Sequence, residues 1–283
     1  MKTFNIRHST WYGFNGEVTL EPHRLRLRPR EDHDLRIASS RLDISPQPQD
    51  VRWYRDVENN SVAILTFDKP CTELEILSEV QIQQYDQAPL DFLVEAYAVH
   101  YPFRYTDDDY EVLRPFVERG EVSDALRSWV GQLWRQGETI QSYTLLKRIC
   151  SAIKERFAYQ VREEPGVQSP EQTLSLGSGS CRDFANLFMA AARHLGFAAR
   201  FVSGYMFVPP GPELFGTTHA WAEVYIPGAG WKGFDPTGGE LVGADHIPVA
   251  VARSAESVPP VEGAFTGPEG AQLKVGVWVR LLD

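Results

Sequence analysis

Residues 177–196, GSGSCRDFANLFMAAARHLG, put one cysteine on the first turn of an amphipathic helix, directly after a run of small residues. Phe184, Leu187, Phe188, Ala191, Ala192 and Leu195 recur at three- and four-residue spacing, which predicts one buried face, and Gly196 marks the stop. A helix patterned this way is stable only when that face lies on another layer. Ser180 falls at the cap, and Asp183, three residues on, is placed to bond back to the Ser180 N–H. Cys181 then lies among unpaired N–H groups at the positive helix end, a position that favours thiolate over thiol. The flanking glycines are expected to let a substrate backbone approach the sulfur.

The facing layer is written downstream. In residues 218–226 alternation sets Ala222, Val224 and Ile226 on one face of a strand, with His219, Trp221, Glu223 and Tyr225 on the other. The first face suits a core and the second is expected to line a cleft. Pro227-Gly228-Ala229-Gly230 is a turn composition, so residues 231–235 should return antiparallel. A four-residue loop from Ile226 to Trp231 would set Asp235 opposite Ala222, on the wrong face for His219. A five-residue loop, or a bulge, sets it opposite Glu223 or Trp221 instead. From opposite Trp221 a diagonal contact to His219 spans about 7–8 Å between backbones, which the two side chains can bridge. This second register is predicted, with Cys181 as nucleophile, His219 as base and Asp235 orienting the base.

The segments GSGSCRDFA (177–185), THAWAEVYIPGAGWKGFDPT (218–237) and ERFAY (155–159) closely resemble bacterial members of the transglutaminase-like superfamily, often described as cysteine proteases. The resemblance covers nearly the whole chain. Residues 8–30 resemble the β-rich N-terminal domain of these proteins, and residues 245–267 resemble their closing segment. It implies a papain-like Cys-His-Asp triad carried by Cys181, His219 and Asp235. It further implies a thiol-dependent hydrolase, a cysteine protease or amidase, that forms an acyl-enzyme on a peptide or protein amide substrate. Relatives carry a Gly-Arg-Asp-Tyr type sequence where this chain reads Ala252-Arg253-Ser254-Ala255, which places the departure in the loop adjoining the triad. Two other functions stand beside this one: transglutaminase-type transfer of the acyl group to an amine, and a non-catalytic binding module on the same fold.

Each residue also has a plainer role. Cys71 and Cys150 lie inside apolar patterns and are expected to be packing residues. The Cys181 N–H is the first oxyanion donor, and Tyr159 or a neighbouring amide, brought in by the Phe157-Ala158-Tyr159 resemblance, is a second candidate beside a core role. Ser180, Asp183 and Trp221 are supporting candidates, with Asp183 read as a cap rather than a fourth catalytic group. His194 can favour the negative end of its helix. Arg24 to Arg28, alternating with leucine, reads as a half-exposed strand more readily than as a binding patch.

A chain of 283 residues with 43% hydrophobic content can bury a substantial core in two domains. Its net charge of −10 argues against nucleic acid or an anionic membrane as the main partner. Residues 1–8 lack the apolar core of a signal peptide and no apolar run is long enough to span a bilayer, so a cytoplasmic location is expected. Three widely spaced cysteines and scattered histidines suggest neither disulfides nor a metal site, and no cofactor motif is present. Oligomeric state is left open.

Alternation in Val18–Arg28, Val62–Phe67 and Leu74–Ile82 predicts an N-terminal β-sandwich over residues 1–105. A change of texture between Asp86 and Asp109 marks the junction. Residues 106–283 are expected to be an α+β, papain-like or transglutaminase-like domain. Its helices lie near Ser123–Arg135 and Thr139–Phe157, and pack with the cysteine helix on an antiparallel sheet. The strands of that sheet are Ala199–Phe207, His219–Ile226, Trp231–Asp235, His246–Val251 and Leu273–Leu281. The Val208–Gly216 segment is read as a shaped lip before the histidine strand.

Overall fold

The structure, a computed structural model, describes residues 1–85, 91–162, 164, 166–209 and 217–282. Six strands open the chain: β1 (Lys2–Leu20), β2 (His23–Leu25), β3 (Leu35–Ser45), β4 (Asp50–Arg55), β5 (Ser61–Thr66) and β6 (Cys71–Gln84). β1, β6 and β3 form one antiparallel sheet, and β2, β5 and β4 form another. Between them Val18, Leu20, Leu25, Leu27, Ala63, Leu65, Leu74 and Ile76 are buried, which makes the expected sandwich. The alternation read across Val18–Arg28 is broken in two at Glu21-Pro22, where proline has no N–H to continue a ladder.

Among the described residues five α-helices follow: α1 (Asp107–Val117), α2 (Asp124–Leu133), α3 (Ser142–Arg156), α4 (Pro170–Leu176) and α5 (Cys181–His194). α3 buries Leu146, Ile149, Cys150 and Ile153 along one stripe. The acidic run Asp107-Asp108-Asp109 is the first turn of α1, capped by Thr106, where negative charge suits the positive helix end. The second sheet unit is antiparallel in the order β9 (Gly230–Asp235), β8 (Thr217–Ile226), β7 (Ala199–Met206), β10 (His246–Ala252), with the short Glu240–Leu241 strand beyond β9. Phe184, Leu187 and Phe188 of α5 pack against Phe201, Ala220, Ala222, Val224 and Phe234 of this sheet in one core. Each such fully buried apolar side chain contributes roughly 1.5–3 kcal/mol.

Two expectations about the layout are corrected. Strand β11 (Ala271–Leu281) does not join the second sheet; it pairs with β1 from Phe4↔Leu281 to Phe14↔Ala271. Val261–Glu262 and Phe265–Thr266 likewise pair with β2 and β1, so both chain ends build the sandwich and residues 106–283 are not one unit. Conversely, residues just before 105 pack with the helical unit. The Tyr101 hydroxyl donates to the Leu195 carbonyl (2.8 Å) and the Tyr105 hydroxyl to the Tyr225 carbonyl (2.8 Å). Alternation reports which residues form a strand but not which edge receives it.

The sandwich docks on the sheet face that points away from the helices. Phe4, Ile6, Leu35, Val80, Ile82, Val277 and Val279 close a core with Tyr205, Ile247 and Val249. At the β10 edge the buried amide of Asn60 accepts from the Val251 N–H and donates to the Val251 carbonyl, both at 2.8 Å. The Arg30 N–H donates to the Pro248 carbonyl (2.8 Å), so this sheet edge is closed by the N-terminal half.

Candidate active site

Asp183 sets the start of α5. Its carboxylate, fully buried, accepts from the Ser180 N–H and hydroxyl (2.8 Å each), the Gln168 N–H (2.7 Å) and Arg162 Nη1 (2.8 Å). Burial opposes its charge, but these bonds outweigh burial and hold the carboxyl below its usual range. Both donor protons of Ser180 are spent in this cap, so Ser180 and Asp183 support the helix end and offer nothing to an oxyanion. At Gly179 a Cβ would meet the Asp183 Cβ at 2.9 Å, so the cap itself requires this glycine. α5 ends with Gly196 at φ 91° and Phe197 N–H bonded to the Ala192 carbonyl (3.0 Å). His194 does not supply charge there, because burial and then Arg119 and Arg127 push it toward neutrality.

Just before Cys181, Ser178 and Gly179 pair in parallel with Ala158 and Tyr159, which fixes Tyr159 beside the cysteine. Burial first, then negative charge at Cys181 and Asp235, raises the Tyr159 phenol, so its hydroxyl stays protonated. Cys150 differs from Cys181: it is buried under Glu240, and desolvation pushes its thiol up. Cys71, half-buried, is raised in the same way.

The β8–β9 hairpin turns in three residues, with Ile226 paired to Gly230 and Ala222 to Phe234. One place further sets Asp235 across from Trp221. The parity is the one expected, reached through a loop shorter than four residues because Gly228 and Gly230 both adopt positive φ. His219 Nε2 donates to Asp235 Oδ2 at 2.8 Å, and Cys181 lies near enough to the ring to favour its protonated form. Cys181, His219 and Asp235 are thus brought together. Burial opposes the imidazolium, yet the bonds and negative charges of Asp235 and Cys181 prevail and push His219 up to about 10. The Asp235 carboxyl is pushed far the other way, burial being outweighed by hydrogen bonds from His219 and His246. Its second oxygen accepts the Thr237 N–H (2.8 Å).

A cleft of ≈ 570 Å³ opens over Cys181 and His219, lined also by Tyr159, Arg182, Thr218 and Glu256. Ala255 and the residues after it form part of one wall, so the departure at 252–255 does fall beside the site. Trp221, however, is sealed from solvent and lines a second cavity behind the sheet, not the cleft. Of the strand face expected to line a cleft, His219 does so, while Trp221 and Glu223 line the second cavity beside Gln84 and residues 30–34 of the N-terminal half, a non-local contact that alternation cannot report. Residues 210–216 of the expected lip lie outside the described residues.

Sequence reasoning missed His246, whose Nε2 lies 3.1 Å from Asp235 Oδ2. Its only local signal was a histidine at the start of an apolar strand. The ligand atoms of His219, Asp235 and His246 lie within 4.8 Å of one another, a set that could hold a divalent cation at the expense of these hydrogen bonds.

Residues 4–83 match the bacterial transglutaminase-like N-terminal region and residues 104–236 match the transglutaminase-like superfamily. The stretch 104–236 belongs to the transglutaminase-like superfamily. The chain is 28% identical over 297 residues to a Mycobacterium tuberculosis protein of uncharacterised function, covering 97% of this chain and 91% of the relative. It is 25% identical over 181 residues to human peptide-N(4)-(N-acetyl-beta-glucosaminyl)asparagine amidase, covering 60% of this chain and 26% of that enzyme. Its fold matches the crystal structure of a candidate cysteine protease from Cytophaga hutchinsonii with TM-score 0.73 at 19% identity, over 100% of this chain and 91% of that one. Among the described residues no helix of this transglutaminase-like protein is long and apolar enough to cross a membrane.

Proposed function

We propose that the protein is a thiol-dependent hydrolase of peptide or amide bonds, with Cys181 as nucleophile, His219 as base and Asp235 orienting the base. One observation carries this reading. The His219 imidazole is bonded to a buried carboxylate and shares a solvent-open cleft with Cys181, whose side chain favours the protonated ring. With Nε2 given to Asp235, Nδ1 is the atom that holds the proton drawn from the Cys181 thiol. Sulfur attacks the carbonyl carbon, and the Cys181 N–H and the Tyr159 hydroxyl are the candidate donors to the oxyanion. Collapse breaks the C–N bond, and His219 passes its proton to the leaving amine. Water, deprotonated by His219, then attacks the thioester, releasing the acid and restoring the thiol.

The likeness to an asparagine amidase supports an amide as the bond broken. Exposed Thr217 and half-exposed Tyr159 at the cleft favour water as acceptor over an amine. A panel of peptides, isopeptides and simple amides, run with the intact protein and Cys181→Ala, tests the reading. Hydrolysis by the first and none by a folded Cys181→Ala protein is expected; equal turnover by both overturns it. Incorporation of a labelled primary amine into a glutamine-bearing protein, in place of ammonia release into water, would assign transamidation instead.

A further inference from the structure

The acyl-transfer reading leaves one side chain of the same buried cluster without a role. His246 begins the edge strand β10, is 7% exposed and does not line the cleft. Its Nε2 lies 3.1 Å from Asp235 Oδ2, the same oxygen that receives His219 Nε2 at 2.8 Å. Its other nitrogen, Nδ1, faces the Gly243 N–H at 3.4 Å. A backbone N–H can only donate, so Nδ1 accepts and the ring proton sits on Nε2, aimed at Asp235. A neutral Nε2–H ring therefore satisfies both contacts at once, and the carboxylate collects the Thr237 N–H, His219 and His246 as donors.

The ring is also held in plane. Trp221 meets His246 edge-on at 5.3 Å and lies tilted against His219 at 6.1 Å. Gly204 makes room for the indole, since a Cβ there would come within 2.6 Å of Trp221 Cη2 and 2.3 Å of the Ile247 carbonyl. Behind the strand, the buried side chain of Gln84, at the end of β6 in the sandwich, donates to the His246 carbonyl (3.3 Å).

We propose that His246 is a positioning residue, the fourth link of a chain Cys181–His219–Asp235–His246, which aims Asp235 Oδ2 at His219 Nε2 so that His219 Nδ1 faces the sulfur. The sandwich holds this link from behind through Gln84. This rests on the acyl-transfer reading above, and acts on it through Asp235. A residue that merely satisfies a buried polar group would change stability without regard to Asp235.

The test compares His246→Phe, which keeps a ring and removes the donor, with His246→Gln, whose amide N–H can reach toward the carboxylate. Both are made in the wild-type and Asp235→Asn backgrounds, with kcat, KM and melting temperature measured on the best amide substrate of the panel. His246→Phe is expected to lower kcat roughly 10- to 100-fold, the loss of one hydrogen bond to a charged group, with KM within about twofold. His246→Gln should recover most of that loss. On Asp235→Asn the Phe substitution should add less than about twofold, because its route is already cut. Unchanged kcat, a full multiplicative loss on Asp235→Asn, or Gln no better than Phe overturns the proposal. So does activity that requires added Zn²⁺ and is lost to a chelator, which would make the cluster a metal site. If the Phe variant does not fold, ¹⁵N NMR of the intact protein decides: a neutral Nε2–H tautomer at His246 is expected, and an Nδ1–H tautomer contradicts it. Turnover by Cys181→Ala would be a failure of the acyl-transfer reading, and the tautomer measurement does not depend on that outcome.

Discussion

At the residue scale, the candidate site is built on opposed proton preferences. His219 is pushed up and Asp235 down, so an imidazolium–carboxylate pair persists where isolated groups would begin to titrate. Because His219 is raised, its contribution to stability is complete below 6.5 and fades as pH climbs toward about 10. Because Asp235 is depressed, its contribution is complete above 3.8 and fades as pH falls. The melting-temperature gap between wild type and Asp235→Asn should therefore be widest between these two values and shrink on both sides; a gap flat with pH contradicts the pair. Tyr159 permits a second prediction. As an oxyanion donor, its change to Phe should lower kcat about 100-fold with little change in KM, whereas a packing tyrosine would leave kcat nearly intact. Cys181, His219 and Asp235 were legible because each lies in a local pattern of a helix start or an alternating strand. His246 was not, since its partner Asp235 is reached only when β10 crosses back beside β7.

At the element scale, α5 is placed by a charged cap with more bonds than its sequence suggested. The Ser180–Asp183 spacing was readable, but Arg162 and Gln168 reach Asp183 from a loop whose course no periodicity describes. Replacing Asp183 with Ala leaves the Arg162 guanidinium only its longer pairing with Glu164 (3.7 Å) and leaves the Gln168 and Ser180 N–H groups without their carboxylate. A loss of roughly 3–5 kcal/mol is expected in urea denaturation, together with slower thiol chemistry at Cys181; a loss within 0.5 kcal/mol would show that the cap does not hold the site. The hairpin illustrates a different limit. Alternation fixed the parity that Asp235 needed, while the turn length depended on two glycines entering the left-handed region, which composition permits without requiring.

At the scale of the whole molecule, the sandwich and the helical unit are a single device closed at the β10 edge. Strand and helix types were readable, yet the return of residues 261–281 to the N-terminal sheets was not, because an alternating strand carries no address. Asn60 joins the halves through both backbone groups of Val251. Asn60→Leu should cost roughly 2–6 kcal/mol, two buried groups losing partners at once, and should lower the single melting transition; a separate early transition of the sandwich would contradict this coupling. The central claim is that the fold gathers sulfur, imidazole and carboxylate from distant stretches into one reactive centre. The most direct measurement is the rate of iodoacetamide alkylation at Cys181 as a function of pH, in wild type and His219→Ala. Reaction at mildly acidic pH, much faster than at Cys71 or Cys150 and reduced to that of an ordinary thiol by His219→Ala, is the predicted result; identical pH profiles in the two proteins would contradict it.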